Sequence, residues 1–225
     1  MDKKDGLNIH IDKDWNFVID FRDGNRVRHK VITPDSFCQL FEKNIKLKAV
    51  RSGVLPDNCI SYCEKEGEKF VVLELGQDRM DLIYENTTYE NFPLPRLIYG
   101  FTVNSMGKIT NVYVTVADKG TLRDDTKVYK YPFSNVSGFR MCTGGNVLPE
   151  IKKIRQLSSI PNYIFSMPDN NDYYTTDKTR LNMEYRNLLE HLKDKDPDYY
   201  YTDVLVPSNK TLQDFLNVNG GENNE

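Results

Sequence analysis

The sequence LIYGFTVNSMGKITNVYVTVA, residues 97–117, predicts two β-strands that are joined by a tight turn. Both halves are rich in β-branched and aromatic residues, which favour strands. The residues between them, 105–108, include Gly107 and are typical of a turn. Strands joined by so short a turn pair antiparallel. The stretch therefore predicts a β-hairpin.

More strands are predicted upstream of this hairpin. Runs of strand-forming residues occupy 59–63, 70–75 and 80–85, and polar turn residues separate them. The two alternate prolines of residues 92–95 force an extended backbone just before the hairpin. The middle of the chain is therefore predicted to consist mainly of strands.

Helices are predicted in the second half of the chain. Apolar residues at helical spacing follow Pro149, and a short closing helix is predicted near residue 215. A longer helix is predicted over 181–195, with an apolar stripe made of Leu181, Tyr185, Leu188, Leu189 and Leu192. The polar residues 169–179 between these helices predict a surface loop.

Residues 1–48 predict a separate small module. Residues 15–21 and 26–32 alternate in polarity around an Asp-Gly turn, which predicts a second hairpin. Thr33 followed by Pro34 is a helix start, and apolar spacing carries that helix to about residue 44. Residues 1–10 are predicted to be frayed.

Composition excludes several classes of function. The net charge is −3 and the basic residues are scattered, so nucleic acid is not an expected partner. The first residues lack the apolar core of a signal peptide and no run is long enough to span a membrane, so a cytoplasmic protein is expected. Phosphate-loop, dinucleotide-binding and serine-hydrolase motifs are absent, so no cofactor is predicted.

Neither the cysteines nor the histidines form a metal-binding pattern. The four cysteines are Cys38, Cys59, Cys63 and Cys142, and the three histidines are His10, His29 and His191. Cys59 and Cys63 are four residues apart, but no second pair of ligands lies near them, so no metal site is predicted. On a regular strand both would share one face and pack, and Cys38 is predicted to pack from its helix.

One cysteine has different surroundings. In the stretch YPFSNVSGFRMCTGGN, residues 131–146, Cys142 is followed by two glycines and preceded by Arg140, a setting that favours an accessible thiol. The alternative is a cysteine packed in the core at the end of a strand. Residue pattern alone leaves both interpretations open.

The order of these elements and several short motifs resemble a known family. The motifs are Val54–Pro56, Leu94–Leu97, Tyr131–Val136, Met141–Gly144 and Tyr163–Ser166. Over residues 50–170 the chain resembles the prokaryotic ubiquitin-conjugating-enzyme-like proteins called family D, which includes protein B of the PRTRC plasmid-type systems.

The resemblance implies a fold and an activity. It implies an α+β domain of the ubiquitin-conjugating (UBC/RWD) type, an antiparallel β-meander with flanking helices, over 49–217. The N-terminal hairpin and helix, 1–48, would be an extension, and 218–225 a disordered tail. Cys142 would carry a ubiquitin-like protein as a thioester, and Asn135 would hold the position of the asparagine that stabilises the oxyanion. The implied partners are a ThiF-type activating enzyme, a ubiquitin-like protein and a JAB-type peptidase.

The chain departs from the family pattern in its histidines. No histidine precedes Asn135 in its motif, and none lies between His29 and His191. Acid–base help would have to come from another group, such as Asp169 or Asp172. Two alternatives to a transferase therefore stay open: a non-catalytic scaffold of the same fold, and an accessory protein of a mobile element that uses residues 15–32 as an interaction surface.

Overall fold

The computed structural model describes residues 8–23, 26–44 and 51–218. The chain divides into two compact units, Met1–Arg51 and Ser52–Glu225. Apart from Val218, the predicted disordered tail lies outside the described residues. None of the helices in the described residues is long and apolar enough to cross a membrane.

The first unit is a three-stranded antiparallel sheet followed by a helix. Its elements are β1 (Asn8–Ile11), β2 (Phe17–Asp23), β3 (Arg26–Ile32) and α1 (Pro34–Asn44), with β2 in the middle of the sheet. The predicted hairpin and helix are confirmed, and Thr33 caps the helix by accepting a hydrogen bond from the Ser36 N–H (3.3 Å). Residues 8–10, predicted to be frayed, instead belong to β1, because they pair with β2.

The second unit is built on one larger antiparallel sheet. Its strands are β4 (Cys59–Lys65), β5 (Glu68–Leu75), β8 (Leu97–Val103), β9 (Ile109–Ala117), β10 (Lys127–Tyr129), β11 (Val136–Ser137), β12 (Arg140–Met141) and β13 (Pro207–Thr211). The main path runs β11-β12-β9-β8-β5-β4, and β10 joins β9 to β13. A separate two-stranded sheet, β6 (Asp78–Tyr84) and β7 (Thr87–Leu94), lies between β5 and β8 along the chain, whereas β5 and β8 pair directly in the larger sheet. The prediction of a mixed chain of antiparallel sheets with a few helices is confirmed.

The predicted central hairpin lies in the core. All residues of β8 are buried, because this strand has neighbours on both sides and both of its faces are covered. Tyr99 and Phe101 face the large core cluster, whereas Ile98 packs on the other face against Leu212 and Phe215. A strand buried on both faces needs apolar residues at nearly every position, as this one has.

The helices of this unit are short. They are a 3-10 helix (Ile154–Ser159), α2 (Ile160–Phe165), a 3-10 turn (Thr176–Lys178), α3 (Tyr185–Leu192), a π-helical turn (Tyr200–Val204) and α4 (Leu212–Leu216). The prediction of a helix from residue 149 is wrong over its first turn, because the Ile151 N–H bonds to Gly107 O (2.7 Å) instead of a preceding turn. The helix predicted over 181–195 is shorter at both ends and spans Tyr185–Leu192. The segment before it is held in another arrangement, since the Arg180 N–H bonds to Val204 O (2.9 Å).

The cysteines outside the 131–146 stretch are not arranged as predicted. The register of β4 against β5 shifts between Cys59 and Ser61, so the alternation of faces is interrupted there. Cys59 is partly buried against the core, whereas Cys63 is exposed. Cys38 is also exposed on α1, so the predicted packing roles of Cys63 and Cys38 are wrong.

Candidate active site

A short hairpin places Asn135 and Cys142 opposite each other. In the β11–β12 pair Val136 lies opposite Met141, and one step further out the Cys142 N–H donates to Asn135 O (2.7 Å). β12 also pairs with β9, which fixes the hairpin to the main sheet. Residues that face each other across an antiparallel pair have Cα atoms about 5.5 Å apart when they are hydrogen-bonded. The seven-residue spacing in the sequence thus becomes a direct contact in the fold.

The Cys142 thiol is exposed. The chain then turns away at once, because the Asn146 N–H and the Asn146 side-chain amide both donate to Thr143 O (3.1 and 3.0 Å). Gly144 has a φ of 57°, a left-handed conformation that glycine adopts without strain. The interpretation of Cys142 as a cysteine packed in the core is therefore wrong, and the thiol is open to an incoming group.

Three hydrogen bonds hold Asn135 in place. Its N–H donates to Asp172 O (2.6 Å), its carbonyl accepts from Cys142, and its side-chain amide donates to the Asp169 carboxylate. The residue has a φ of 60°, a conformation in which asparagine is enriched. A side-chain amide carries two N–H donors, so the bond to Asp169 leaves a second one for another acceptor.

Asp169 is the acceptor around which the site is built. Its N–H donates to Ile83 O of β6 (2.8 Å) and its carbonyl accepts from the N–H of Glu85, the residue after β6 (2.9 Å), so its backbone is held at both ends. Its carboxylate also accepts from the Tyr185 hydroxyl (2.6 Å). Burial raises the pKa of the Asp169 carboxyl above its ordinary value, and the hydrogen bonds from Tyr185 and Asn135 oppose that rise.

Lys178 supports the Asn135 turn from the side. Its ammonium group donates to Phe133 O (3.3 Å) and to Val136 O (2.6 Å), the carbonyls on either side of Asn135. Burial lowers the pKa of Lys178 to about 8, while the charges of Asp177 and Asp169 act in the opposite direction. The amine therefore holds the backbone both before and after Asn135.

Asn135, Cys142 and Asp169 line one small pocket. Its volume is about 90 Å³, far below the several hundred Å³ of a typical small-molecule site. The polar residues on its wall include Asn135, Cys142, Asp169, Asn170 and Asp172. A pocket of this size fits a single reacting group, such as one carbonyl or one amine, better than a cofactor.

Some of these residues were predicted from the sequence and others were not. Cys142 and Asn135 were predicted together and the structure brings them together, although their chemical roles stay predictions. Asp169 and Asp172 were named only as possible acid–base groups. The prediction that puts Asp169 in a surface loop is wrong, because its backbone pairs with Tyr84 of β6 and its side chain is only partly exposed. Tyr185 was assigned only to the apolar stripe of its helix. A buried tyrosine usually has a hydrogen-bond partner, which was the available signal for a buried acceptor.

The Tyr185 hydroxyl is expected to stabilise the fold through its hydrogen bond to Asp169. Tyr185→Phe keeps the buried ring and removes one of the donors to the Asp169 carboxylate, so the free energy of unfolding should fall by about 1.5–3 kcal/mol. Urea unfolding at neutral pH measures this change. Tyr173→Phe is the matched control, because Tyr173 is 58% exposed. Equal losses in the two variants would show that the hydroxyl does not stabilise the carboxylate.

No metal-binding group of His, Cys, Asp and Glu side chains is found in residues 8–23, 26–44 and 51–218.

The family model described as prokaryotic E2 family D matches residues 38–208. This match confirms the resemblance drawn from the sequence and extends beyond 50–170 at both ends. No curated protein and no solved structure matches the chain.

Proposed function

Because the chain belongs to prokaryotic E2 family D, we propose that it carries a ubiquitin-like protein as a thioester on Cys142 and transfers it to an amine. The observation that carries the proposal is the exposed Cys142 thiol, hydrogen-bonded through its backbone to Asn135 at the wall of a small polar pocket. The antiparallel order β9-β8-β5-β4 supports a meander of the ubiquitin-conjugating type.

The chemistry would take two steps at one sulfur. In the first, the Cys142 thiolate attacks the carbonyl carbon of the carrier's thioester on the activating enzyme and expels that enzyme's thiolate. In the second, an amine attacks the new thioester, a tetrahedral oxyanion forms, and the carbon–sulfur bond breaks to release the Cys142 thiolate. The proton of the amine leaves to solvent. The product is an amide bond between carrier and acceptor.

Asn135 is proposed as the oxyanion donor. The second N–H of its amide is the group available for the developing negative charge, and a donor of this kind contributes about 2.7–4 kcal/mol to the transition state. Asp169 acts as a positioning residue, because its carboxylate fixes the orientation of that amide and is itself held by β6. Cys142 and Asn135 thus keep the roles that the resemblance implies.

The proposed partners follow from the two steps. A ThiF-type activating enzyme would supply the thioester, a ubiquitin-like protein would be the carrier, and a JAB-type peptidase would remove it from its targets. We place the protein in a bacterial ubiquitin-like system, such as those of PRTRC type.

The test is formation of a reducible adduct. The protein, a cognate ThiF-type enzyme, ATP and the carrier should yield a conjugate that thiol reductant reverses. Cys142→Ser should abolish this conjugate. Cys63→Ser is the matched control, because Cys63 is also exposed but lies on β4 outside the pocket. The proposal would be overturned if a conjugate that thiol reductant reverses still formed in Cys142→Ser, or if no conjugate formed with any carrier and activating enzyme tried.

A non-catalytic binding module of the same fold is the second candidate. It is favoured by the fact that no histidine lines the pocket in the described part of the chain. The rate at which iodoacetamide alkylates Cys142, measured against Cys63, separates the two. A Cys142 that reacts more slowly than Cys63 would support the binding module, and one that reacts faster would support the transferase.

A further inference from the structure

A second, larger groove lies apart from the Cys142 pocket. It has a volume of about 720 Å³ and shares no lining residue with that pocket. Its walls are three segments of the second unit, 52–54, 103–107 and 150–155, together with Lys69 at the start of β5. The Ile151 N–H donates to Gly107 O (2.7 Å), so two of these walls are held together by backbone.

The groove is strongly basic in a chain of net charge −3. Four cations line it, Lys69, Lys152, Lys153 and Arg155, against one carboxylate, Glu150. None of the four forms an ion pair within the residues that the structure describes. An uncompensated positive patch on an acidic protein directs the approach of a negatively charged partner.

Two apolar side chains stand exposed at the same groove. Val54 is 75% and Met106 is 73% exposed. Met106 is held in that position by its turn, because the Asn104 side-chain carbonyl accepts from the N–H groups of Met106 (3.0 Å) and Lys108 (2.9 Å). Methionine is enriched in the buried parts of protein interfaces and adapts to varied partners.

We propose that this groove binds an acidic segment of a partner protein, anchored by one apolar side chain between Val54 and Met106. The four cations would face the carboxylates of that segment, and Glu150 would disfavour a uniform polyanion. A nucleic acid fits less well, because none of the described residues that line the groove is an aromatic on which a base could stack. The groove is distinct from Cys142, so a failed thioester test leaves this proposal standing.

The experiment uses the full chain and a defined probe. The probe is a short fluorescein-labelled peptide of glutamate and aspartate residues around one central leucine, and anisotropy measures its binding. We expect saturable binding that weakens with salt, because added ions screen the exposed charges. The variant Lys152→Glu/Lys153→Glu should weaken binding by about tenfold. Met106→Ser should weaken binding of this peptide but not of the version with serine in place of leucine.

The controls separate this groove from general charge. Arg123→Glu/Lys127→Glu changes the net charge by the same amount at exposed positions outside the groove and should bind the peptide as the wild type does. Thermal unfolding checks that each variant is folded. The proposal is overturned if the peptide does not bind, if both double variants lose binding equally, or if an oligonucleotide or an anionic lipid vesicle competes better than the peptide.

Discussion

Replacing Asn135 by alanine is expected to slow discharge of the Cys142 thioester to an amine by about 10²–10³-fold. The substitution removes the side-chain amide that we propose as the oxyanion donor, so the oxyanion would form without that preorganised group. The measurement is a single-turnover discharge of purified adduct to free lysine, which separates the transfer step from loading by the activating enzyme.

The backbone of Asn135 requires a second variant. Asn135 has a φ of 60°, so alanine there adds backbone strain as well as removing the amide. Asn135→Gly removes the amide but accepts this φ, and it should show the same loss of rate. As a control for strain alone, Asn91→Ala changes an asparagine with a φ of 51° that lies outside the pocket, and it should discharge normally. Wild-type discharge by Asn135→Gly would remove Asn135 from the mechanism.

Among the substitutions described here, Gly107→Ala should lower the free energy of unfolding the most. A methyl group at Gly107 would lie 2.5 Å from Ile151 O, far inside van der Waals contact, and the atom it meets is backbone rather than a flexible side chain. The turn or the 150–155 segment must therefore move, and the φ of 83° adds strain for any side chain. Together these effects should lower the free energy of unfolding by about 2–5 kcal/mol.

Gly67→Ala separates the two causes. Gly67 has the same φ of 83°, but a methyl group there meets nothing closer than 4.0 Å. Its loss in urea unfolding therefore measures the backbone strain alone, and the excess in Gly107→Ala measures the clash with Ile151. If both variants lose the same free energy, the contact between Gly107 and Ile151 is not tight in solution.

The strands were predicted well because their signals are local. Alternation, β-branched residues and the turn at Gly107 lie within residues 97–117, and the same kinds of signal marked 15–32. The inserted strand β7 was recognised only at its prolines. Its first residues, 87–91, join β6 across a two-residue turn, Glu85 and Asn86, which lacks the glycine that usually marks a tight hairpin turn.

The candidate site could be predicted only in part. Cys142 and Asn135 lie in one short motif, so the resemblance located both. Asp169 is 34 residues beyond Asn135 and depends on a backbone bridge to β6, and Tyr185 reaches it from a third element. Contacts of this kind depend on how separate elements pack, and residue spacing along the chain does not encode them.

The eight residues 143–150 form a loop whose two ends are fixed independently. At one end the Cys142 N–H is bonded to Asn135 O, and at the other the Ile151 N–H is bonded to Gly107 O. The entropic cost of closing a flexible loop grows only as the logarithm of its length, about 0.6 kcal/mol for each doubling. Insertions between Gly144 and Pro149 should therefore disturb neither anchor. A longer loop at this segment could therefore add contacts to a partner without changing the position of Cys142.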